Sequence, residues 1–409
     1  MITTTGLLSA LCLAAALWLG RVFPGTRRLQ PALLAAMLFA WLVLALAWWA
    51  ADHFTGEGID ESVLFHLWIG LEGAGLGAYL PVIAGVLAAV LLCAAGAGLL
   101  GRLYTRRPAA AAPFGAWLAG PALGAVALAL HPTMADIGQL VHMHVRALHA
   151  APTPSAHFAA PSPEPFPARK NLVVLYLESV ERTFLDPMLF PGLMPRLSAL
   201  EPRALSFTGL RQVYGTGWTI AGMTASQCGL PLVTPGDANS MSGADQFLPG
   251  ARCLGDVLQD MGYDLRYLGG ADLDFAGKGT FYRTHGFAQV QGEDELQPLL
   301  PKPGYASPWG LHDDSLYGLA RQTFDELSAG TEPFGLFMLT LDTHPPGEHP
   351  SASCGKTVYQ RGRDTMLNAV HCADKLAADF IEGIIDGPHA ANTVVVVLSD
   401  HLAMRSSAS

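Results

Sequence analysis

Hydrophobic and polar positions divide the chain into two parts of different texture. Up to residue 130 the apolar residues run in four near-continuous stretches, Ile2–Gly20, Pro31–Ala51, Leu76–Leu100 and Pro113–Leu130. Each is close to the ~20 residues a helix needs to cross a hydrocarbon layer. The pattern predicts an N-terminal helical membrane domain over residues 1–130 with four transmembrane helices. The polar breaks orient the set. Arg21, Arg27 and Arg28 follow the first stretch and Arg102, Arg106 and Arg107 the third, whereas Asp52, Glu57, Asp60 and Glu61 sit in the connection between the second and third. Basic loops stay on the cytoplasmic side, so the N-terminus and everything past Leu130 are expected to face outward, which in a bacterium means periplasmic or extracellular. The first stretch has no basic n-region and three more follow, so a cleaved signal peptide is a poor reading of it. Within the acidic connection, Leu64–Ile69 with Trp68 reads as a loop anchored at the headgroup level, with an interfacial or re-entrant helix as the alternative.

Beyond Leu130 the texture changes. His131–His149 mixes polar and apolar residues as a helix does, and Ala151–Pro167 is rich in Pro, Ala and Ser, the composition of an extended linker. Residues 131–168 thus form a juxtamembrane segment and linker, and an outward domain spans 169–409. His142, His144 and His149 are spaced poorly for one helical face and read as ordinary exposed histidines. In the outward domain, Asn171–Leu177 is an unbroken apolar run, as expected of a strand buried on both faces. Leu265–Leu268, Phe334–Leu341 and Thr393–Leu398 are further strand candidates, with helical stretches such as Leu254–Met261 and Leu311–Leu327 between them. Strands alternating with helices predict an α/β domain with a mainly parallel sheet.

The strand ends carry the chemistry. Asn171–Leu177 runs into Glu178, Phe334–Leu341 into Asp342–Thr343–His344, and Thr393–Leu398 into Ser399–Asp400–His401. Sites in open α/β sheets form beyond the carboxyl ends of strands. Three ends that deliver carboxylates and imidazoles to one edge suit a divalent metal with O and N ligands. A second signal is Gly215–Thr216–Gly217–Trp218–Thr219, a tight turn opening a helix of small residues. A hydroxyl there lies at a positive helix end, suited to a nucleophile acting on an anion. An N-cap threonine is the plainer reading of the turn alone, and Thr216 competes with Thr219 for the role.

Composition narrows the classes. Of 409 residues 51% are hydrophobic and 14% charged, as in a membrane protein, and the net charge of −10 argues against a nucleic-acid partner. Cys12 and Cys93 lie in apolar stretches and read as packing residues. Cys228, Cys253, Cys354 and Cys372 lie in the outward, oxidising part. Four cysteines allow three pairings; nearest neighbours give Cys228–Cys253 and Cys354–Cys372.

Glu178 after a strand, a Gly-x-Gly-x-Thr turn and Ser399–Asp400–His401 after a late strand together resemble the sulfatase/alkaline-phosphatase superfamily. Within it they resemble the membrane-bound branch of the lipoteichoic acid synthases. Asn171–Phe184, Phe190–Pro195, Arg211–Pro231, Asp274–Phe287 and Ser399–Arg405 are similar to the phosphoglycerol transferases that decorate osmoregulated periplasmic glucans. The resemblance implies one divalent metal ion, Mn²⁺ foremost with Zn²⁺ or Mg²⁺ also allowed, held by Glu178, Thr219, Asp400 and His401. It implies that Thr219 is the nucleophile, and that His344 contacts phosphate or acts as an acid. Lys278, in Asp274–Gly279, sits where the resemblance implies a basic substrate contact; Asp274 is a further substrate-binding candidate, and Trp218 reads equally as a substrate wall or a packed aromatic. Phosphatidylglycerol is the implied donor, a periplasmic glucan the acceptor, and a phosphoglyceryl-threonine the intermediate. The His-Gly-Asn of lipoteichoic acid synthases is replaced by Gly269–Gly270–Ala271, so the acceptor or glycerol contacts are expected to differ. The superfamily sheet continues past the Asp–His pair, so the catalytic domain is expected to be incomplete at Ser409. Sulfatases proper need Cys or Ser followed by Pro and Arg, whereas Thr219 precedes Ile220, Ala221, Gly222 and Met223. A phosphoethanolamine transferase, a lipoteichoic-acid-type polymerase and a membrane-anchored glucan or lipid sensor stay open as alternatives.

Overall fold

The computed structural model describes residues 4–23, 29–55, 58–60, 63–64, 80–105, 115–149, 169–213, 215–232, 246–345, 350–355 and 358–403. They form two compact units, one holding the described residues up to His149 and one holding those from Arg169. The linker reading at 151–167 and most of the Trp68 loop lie outside the described residues.

In the first unit α1 (Thr4–Val22), α2 (Leu29–Thr55) and α3 (Leu80–Thr105) are each long and apolar enough to cross a membrane. The fourth expected span differs. It is a short helix, α4 (Ala119–Ala129), followed by α5 (Pro132–His149), and the pair bends by 54° at the break. Proline lacks an N–H and disfavours helical backbone at the residue before it, here His131. The unit therefore has three candidate spans, or four if the bent pair crosses as one. Lipid tails give apolar helices no reason to associate, so packing rests on small residues and polar bonds. A Cβ at Gly120 would lie 2.9 Å from the Ala16 carbonyl oxygen, which brings α4 close to α1. Ser9 Oγ donates to the Ala127 carbonyl (2.6 Å) and accepts from Trp41 Nε1 (2.8 Å).

The second unit is an α/β domain. Its main sheet has the order β3-β2-β6-β1-β7, all neighbours parallel. The strands are β1 (Asn171–Leu177), β2 (Asp264–Gly269), β3 (Gln289–Gln291), β6 (Phe334–Leu339) and β7 (Thr393–Ser399); β4 (Ala306–Ser307) and β5 (Gly310–Leu311) make a separate antiparallel hairpin. The apolar runs form central strands because alternate side chains enter two different cores. Val173, Leu175 and Leu177 of β1 join Leu336 and Met338 of β6 on one face, over α9 (Asp313–Ser328) and α10 (Thr365–Ile385). Val174, Tyr176, Phe337 and Leu339 face the other core with α6 (Thr219–Cys228), α7 (Leu254–Asp260) and α8 (Lys278–Thr284). β1 lies between β6 and β7, with Tyr176 opposite Leu339 and Leu177 opposite Ser399. The residues that follow these three strands therefore emerge side by side.

Candidate active site

Glu178 leaves the end of β1 and the chain turns at once. Ser179 takes a left-handed backbone (φ 55°) although it has a side chain, and it is fully buried. Such strain persists only where the surroundings fix it. Thr343 Oγ1 donates to the Glu178 carbonyl (2.5 Å), and the Glu178 N–H donates to Thr340 Oγ1 (2.9 Å). On the other side, the N–H groups of Ser179 and His401 both donate to Asp400 Oδ1, each at 2.9 Å. Both neighbouring strand ends are thus stitched to the Glu178 turn.

The ligand atoms of Glu178, Asp400 and His401 lie within 4.8 Å of one another, and all three residues are buried. His401 Nε2 is 3.4 Å from Glu178 Oε1 and 3.4 Å from Asp400 Oδ2. That is the separation of two ligands about 2.1 Å from one ion at a tetrahedral angle. His401 Nδ1 lies 2.7 Å from the Leu402 carbonyl, which can only accept, so Nδ1 carries a proton and Nε2 is the atom turned to the carboxylates, open to a cation once it gives up its own proton. Asp400 Oδ2 is buried with no hydrogen-bond partner. Burial, then the charge of Glu178, pushes the Asp400 carboxyl up to about 7. Burial disfavours a charge on Glu178 too, but His401 and His344 outweigh it and hold it below the usual carboxylate range. Burial works against a charged His401, yet the two carboxylates raise it to about 10. The cluster therefore draws positive charge to the spot between its three side chains, and its donor set fits one divalent cation. A second group, Cys253, Asp256 and His285, does not fit in the same way: Cys253 is in a disulfide, and His285 is held by Asp256 and the Phe247 carbonyl.

Thr219 is the first residue of α6, and its Oγ1 donates to Glu178 Oε2 at 3.4 Å. The N–H groups of the first helical turn have no intrahelical carbonyl and give this end a positive field. Gly222 sets the approach of helix to cluster: a Cβ there would lie 1.6 Å from the Asp400 carbonyl oxygen. Thr216, the rival, is engaged in its own turn, donating to the Val213 carbonyl (2.6 Å) and accepting from the Val213 N–H (3.1 Å). Trp218, a substrate-contact candidate, is 7% exposed and packs in the core around α6.

His344 follows β6. Its Nδ1 donates to the Pro345 carbonyl (2.9 Å), and burial lowers its pKa. Lys278 opens α8, is 2% exposed, donates to the Phe275 carbonyl (2.9 Å) and lies 4.6 Å above the Phe275 ring. Burial pushes it down to about 8, against the pull of Glu178, Asp272 and Asp400. Asp274 is exposed, and its N–H donates to Asp272 Oδ1 (2.7 Å). The structure thus gathers Glu178, Thr219, Asp400 and His401 into one contact cluster, with Lys278 and His344 within electrostatic reach of Glu178. Ser179, Thr340 and Thr343, which fix the Glu178 turn, were not singled out from the sequence; their signal is adjacency to the strand ends. Cys228 pairs with Cys253 and Cys354 with Cys372, the first tying the far end of the Thr219 helix to the start of α7.

Residues 4–148 match the family described as phosphoglycerol transferase I, N-terminal domain. A phosphoglycerol transferase I of Xanthomonas campestris pv. campestris (strain B100) is 40% identical over 399 residues, 97% of this chain and 55% of the relative. One of Citrobacter koseri is 38% identical over 379 residues, 92% of this chain and 49% of the relative. The chain spans about half the length of the curated relatives it matches. A crystal structure of a protein in the alkaline phosphatase superfamily from Vibrio parahaemolyticus aligns with a TM-score of 0.49 at 28% identity, over 59% of this chain and 56% of that one. Residues 170–408, more than half of the chain and the stretch that carries Glu178, Thr219, His344, Asp400 and His401, match the sulfatase family, and the chain belongs to that family.

Proposed function

We propose that the chain is a phosphoglycerol transferase that moves phosphoglycerol from phosphatidylglycerol to a hydroxyl of a periplasmic glucan by way of Thr219. The observation that carries this reading is the Thr219 hydroxyl, set at a helix N-terminus and directed at Glu178 beside the buried Glu178–Asp400–His401 cluster. The names of the relatives support the group transferred. Glu178, Asp400, His401 and the Thr219 oxygen would hold one divalent cation, Mn²⁺ foremost, which supplies a lower pKa for the Thr219 hydroxyl and neutralises phosphate charge.

The chain's own residues do the rest. With its hydroxyl proton already released to solvent, Thr219 Oγ attacks phosphorus, the bond from phosphorus to the diacylglycerol oxygen breaks, and phosphoglyceryl-threonine remains. The amide end of α6 and the Lys278 ammonium stabilise the phosphate charge. With Nδ1 donating to Pro345, neutral His344 offers Nε2 as an acceptor. It takes the proton of the incoming glucan hydroxyl as that oxygen bonds to phosphorus and Thr219 Oγ leaves. The proton so gained goes to the departing diacylglycerol oxygen in the first displacement of the next turnover. A lipid donor accounts for joining such a domain to apolar helices. The arginine loops support an inner-membrane protein with this domain in the periplasm.

The test uses membranes containing the protein, phosphatidylglycerol labelled in its headgroup, Mn²⁺ and no glucan, followed by peptide mass spectrometry. A phosphoglyceryl adduct on Thr219, absent from Thr219→Ala, is the expected result. No adduct on the wild type rules the donor out, and a phosphoethanolamine adduct from labelled phosphatidylethanolamine assigns the other transferase class.

A further inference from the structure

The β4–β5 hairpin is held at both ends by the segment that carries His344. Ala306 pairs with Leu311 and Ser307 with Gly310, leaving Pro308 and Trp309 as a two-residue turn. At the open end Tyr305 and His312 stack, ring centroids 4.6 Å apart. His312 is buried, and its Nδ1 lies 2.8 Å from Oδ1 of Asp342, two residues before His344. Asp342 is itself fixed: Ser351 Oγ and the Asp313 N–H donate to its Oδ2 at 2.5 and 3.3 Å. At the tip, the Trp309 ring lies 4.0 Å from that of His344, tilted by 40°, and 6.0 Å from that of Phe275, which carries Lys278 on its face. The hairpin is seated on the end of β2. Gly310 has φ 131°, and a Cβ there would lie 2.1 Å from the Gly270 carbonyl oxygen, which also accepts from the Leu311 N–H (2.9 Å).

His344 needs such support. Its hydrogen bond at Nδ1 goes to the carbonyl of the next residue, and a bond within one loop moves with the loop. A group that passes protons to and from a reacting oxygen must be held to a fraction of an ångström. We propose that the hairpin is a positioning clamp for His344, with the Trp309 ring holding the imidazole at the tip and the His312–Asp342 bond holding the base. Trp309 is a positioning residue in this scheme. The close seat of the hairpin requires glycine at 270, where a Cβ would lie 2.9 Å from the Leu311 carbonyl oxygen. The clamp rests on the proton-transfer role given to His344 above.

Two readouts on the purified membrane protein test it. The first is substrate-free: the rate at which diethyl pyrocarbonate modifies His344, followed by peptide mass spectrometry. The second is transfer from phosphatidylglycerol to glucan, resolved into kcat and KM. Trp309→Ala is expected to speed His344 modification several-fold and to lower kcat about ten- to a hundredfold with donor KM nearly unchanged. Trp309→Phe, which keeps a flat ring, restores both. If Trp309→Ala loses its melting transition, Trp309→Leu keeps the bulk without the ring face and is read in the same way. Unchanged His344 reactivity overturns the clamp, as does a rise in KM at constant kcat, which would make Trp309 a substrate contact. Faster modification in the variant with no transfer by the wild type leaves the clamp standing and removes the phosphatidylglycerol reading instead.

Discussion

Lys278 is the residue at which activity and stability pull apart. Burial lowers its pKa from 10.5 to about 8. Between those values the folded state has released a proton that the unfolded chain keeps, so this lysine's contribution to stability rises with pH across the window. Below about pH 8 both states are charged and the cost of burying the charge is fully present. The phosphate contact proposed for it needs the charged form. Raising the pH through about 8 is therefore expected to lower kcat/KM while the lysine's own destabilising effect fades. Lys278→Met should raise the melting temperature at pH 7, by up to about 3 kcal/mol of stability, and cut kcat/KM about a hundredfold. Lys278→Arg should retain turnover at pH 9, since guanidinium stays charged. A pH–rate series on the three proteins beside thermal melts checks this; a basic limb that stays near pH 8 in Lys278→Arg assigns it to another group. Asp400 offers a companion case. Asn at 400 keeps the oxygen that accepts from Ser179 and His401, and puts an amide donor where Oδ2 now has no partner. Asp400→Asn is expected to melt higher than the wild type in chelator, and to lose the rise in melting temperature that Mn²⁺ gives the wild type. A Mn²⁺ response equal to that of the wild type removes Asp400 from the ligand set.

At the scale of elements, the contact that matters is α6 against the end of β7. Alanine is favoured over glycine inside a helix by about 1 kcal/mol, so propensity alone says Gly222→Ala stabilises. The Cβ it adds would sit 1.6 Å from the Asp400 carbonyl oxygen, and backbone cannot swing aside as a side chain does. Overpacking of this kind costs typically 1–3 kcal/mol, so the steric term wins and the variant should melt lower. The helix or the Asp400 turn must also shift by about an ångström, enough to lower transfer about a hundredfold. Denaturant melts and adduct yield on Thr219 measure both; a variant that melts higher and labels normally places this contact farther apart than described. The same contact marks where sequence reading stops. The apolar runs of β1 and β6 announce strands because both faces are buried; β2 shows through with Arg266 inside it, and β7 through a run of valines although it is an edge strand with Val394, Val396 and Val397 exposed. Glu178, His344, Asp400 and His401 were legible because they follow those runs. Gly222 was not, because its reason lies in a carbonyl from a distant part of the chain. Nor was the 306–311 hairpin, whose two-residue strands are too short to show a period. The fourth apolar stretch, 113–130, ends where Pro132 imposes the bend; what composition does not register is that its helix is too short to cross alone.

At the scale of the whole molecule, two independent lines bear on which side of the membrane the sulfatase-family unit occupies. One is the arginines of the first and third connections against the acids of the second, worth a few kcal/mol of insertion preference together. The other is chemical: Cys228–Cys253 and Cys354–Cys372 persist only in an oxidising compartment, while Cys12 and Cys93, in the apolar helices α1 and α3, are free. The two lines make one prediction with separable parts. Alkaline phosphatase fused after Gly58 or His149 should be active and a fluorescent reporter at those points dark, with the reverse after Arg28 or Arg107. Replacing Glu57, Asp60 and Glu61 with arginine while neutralising Arg106 and Arg107 should weaken or invert that pattern. In the inverted molecules the four cysteines would meet a reducing cytoplasm, and mass mapping with thiol alkylation should find them free. Loss of the first disulfide unties the Thr219 helix from α7, and in the inverted molecules the catalytic unit would also face the other leaflet and be cut off from periplasmic glucan. Transfer to glucan should therefore fall in step with the fraction inverted. Full transfer from molecules whose reporters place residue 149 in the cytoplasm would overturn the periplasmic assignment and, with it, the glucan as acceptor.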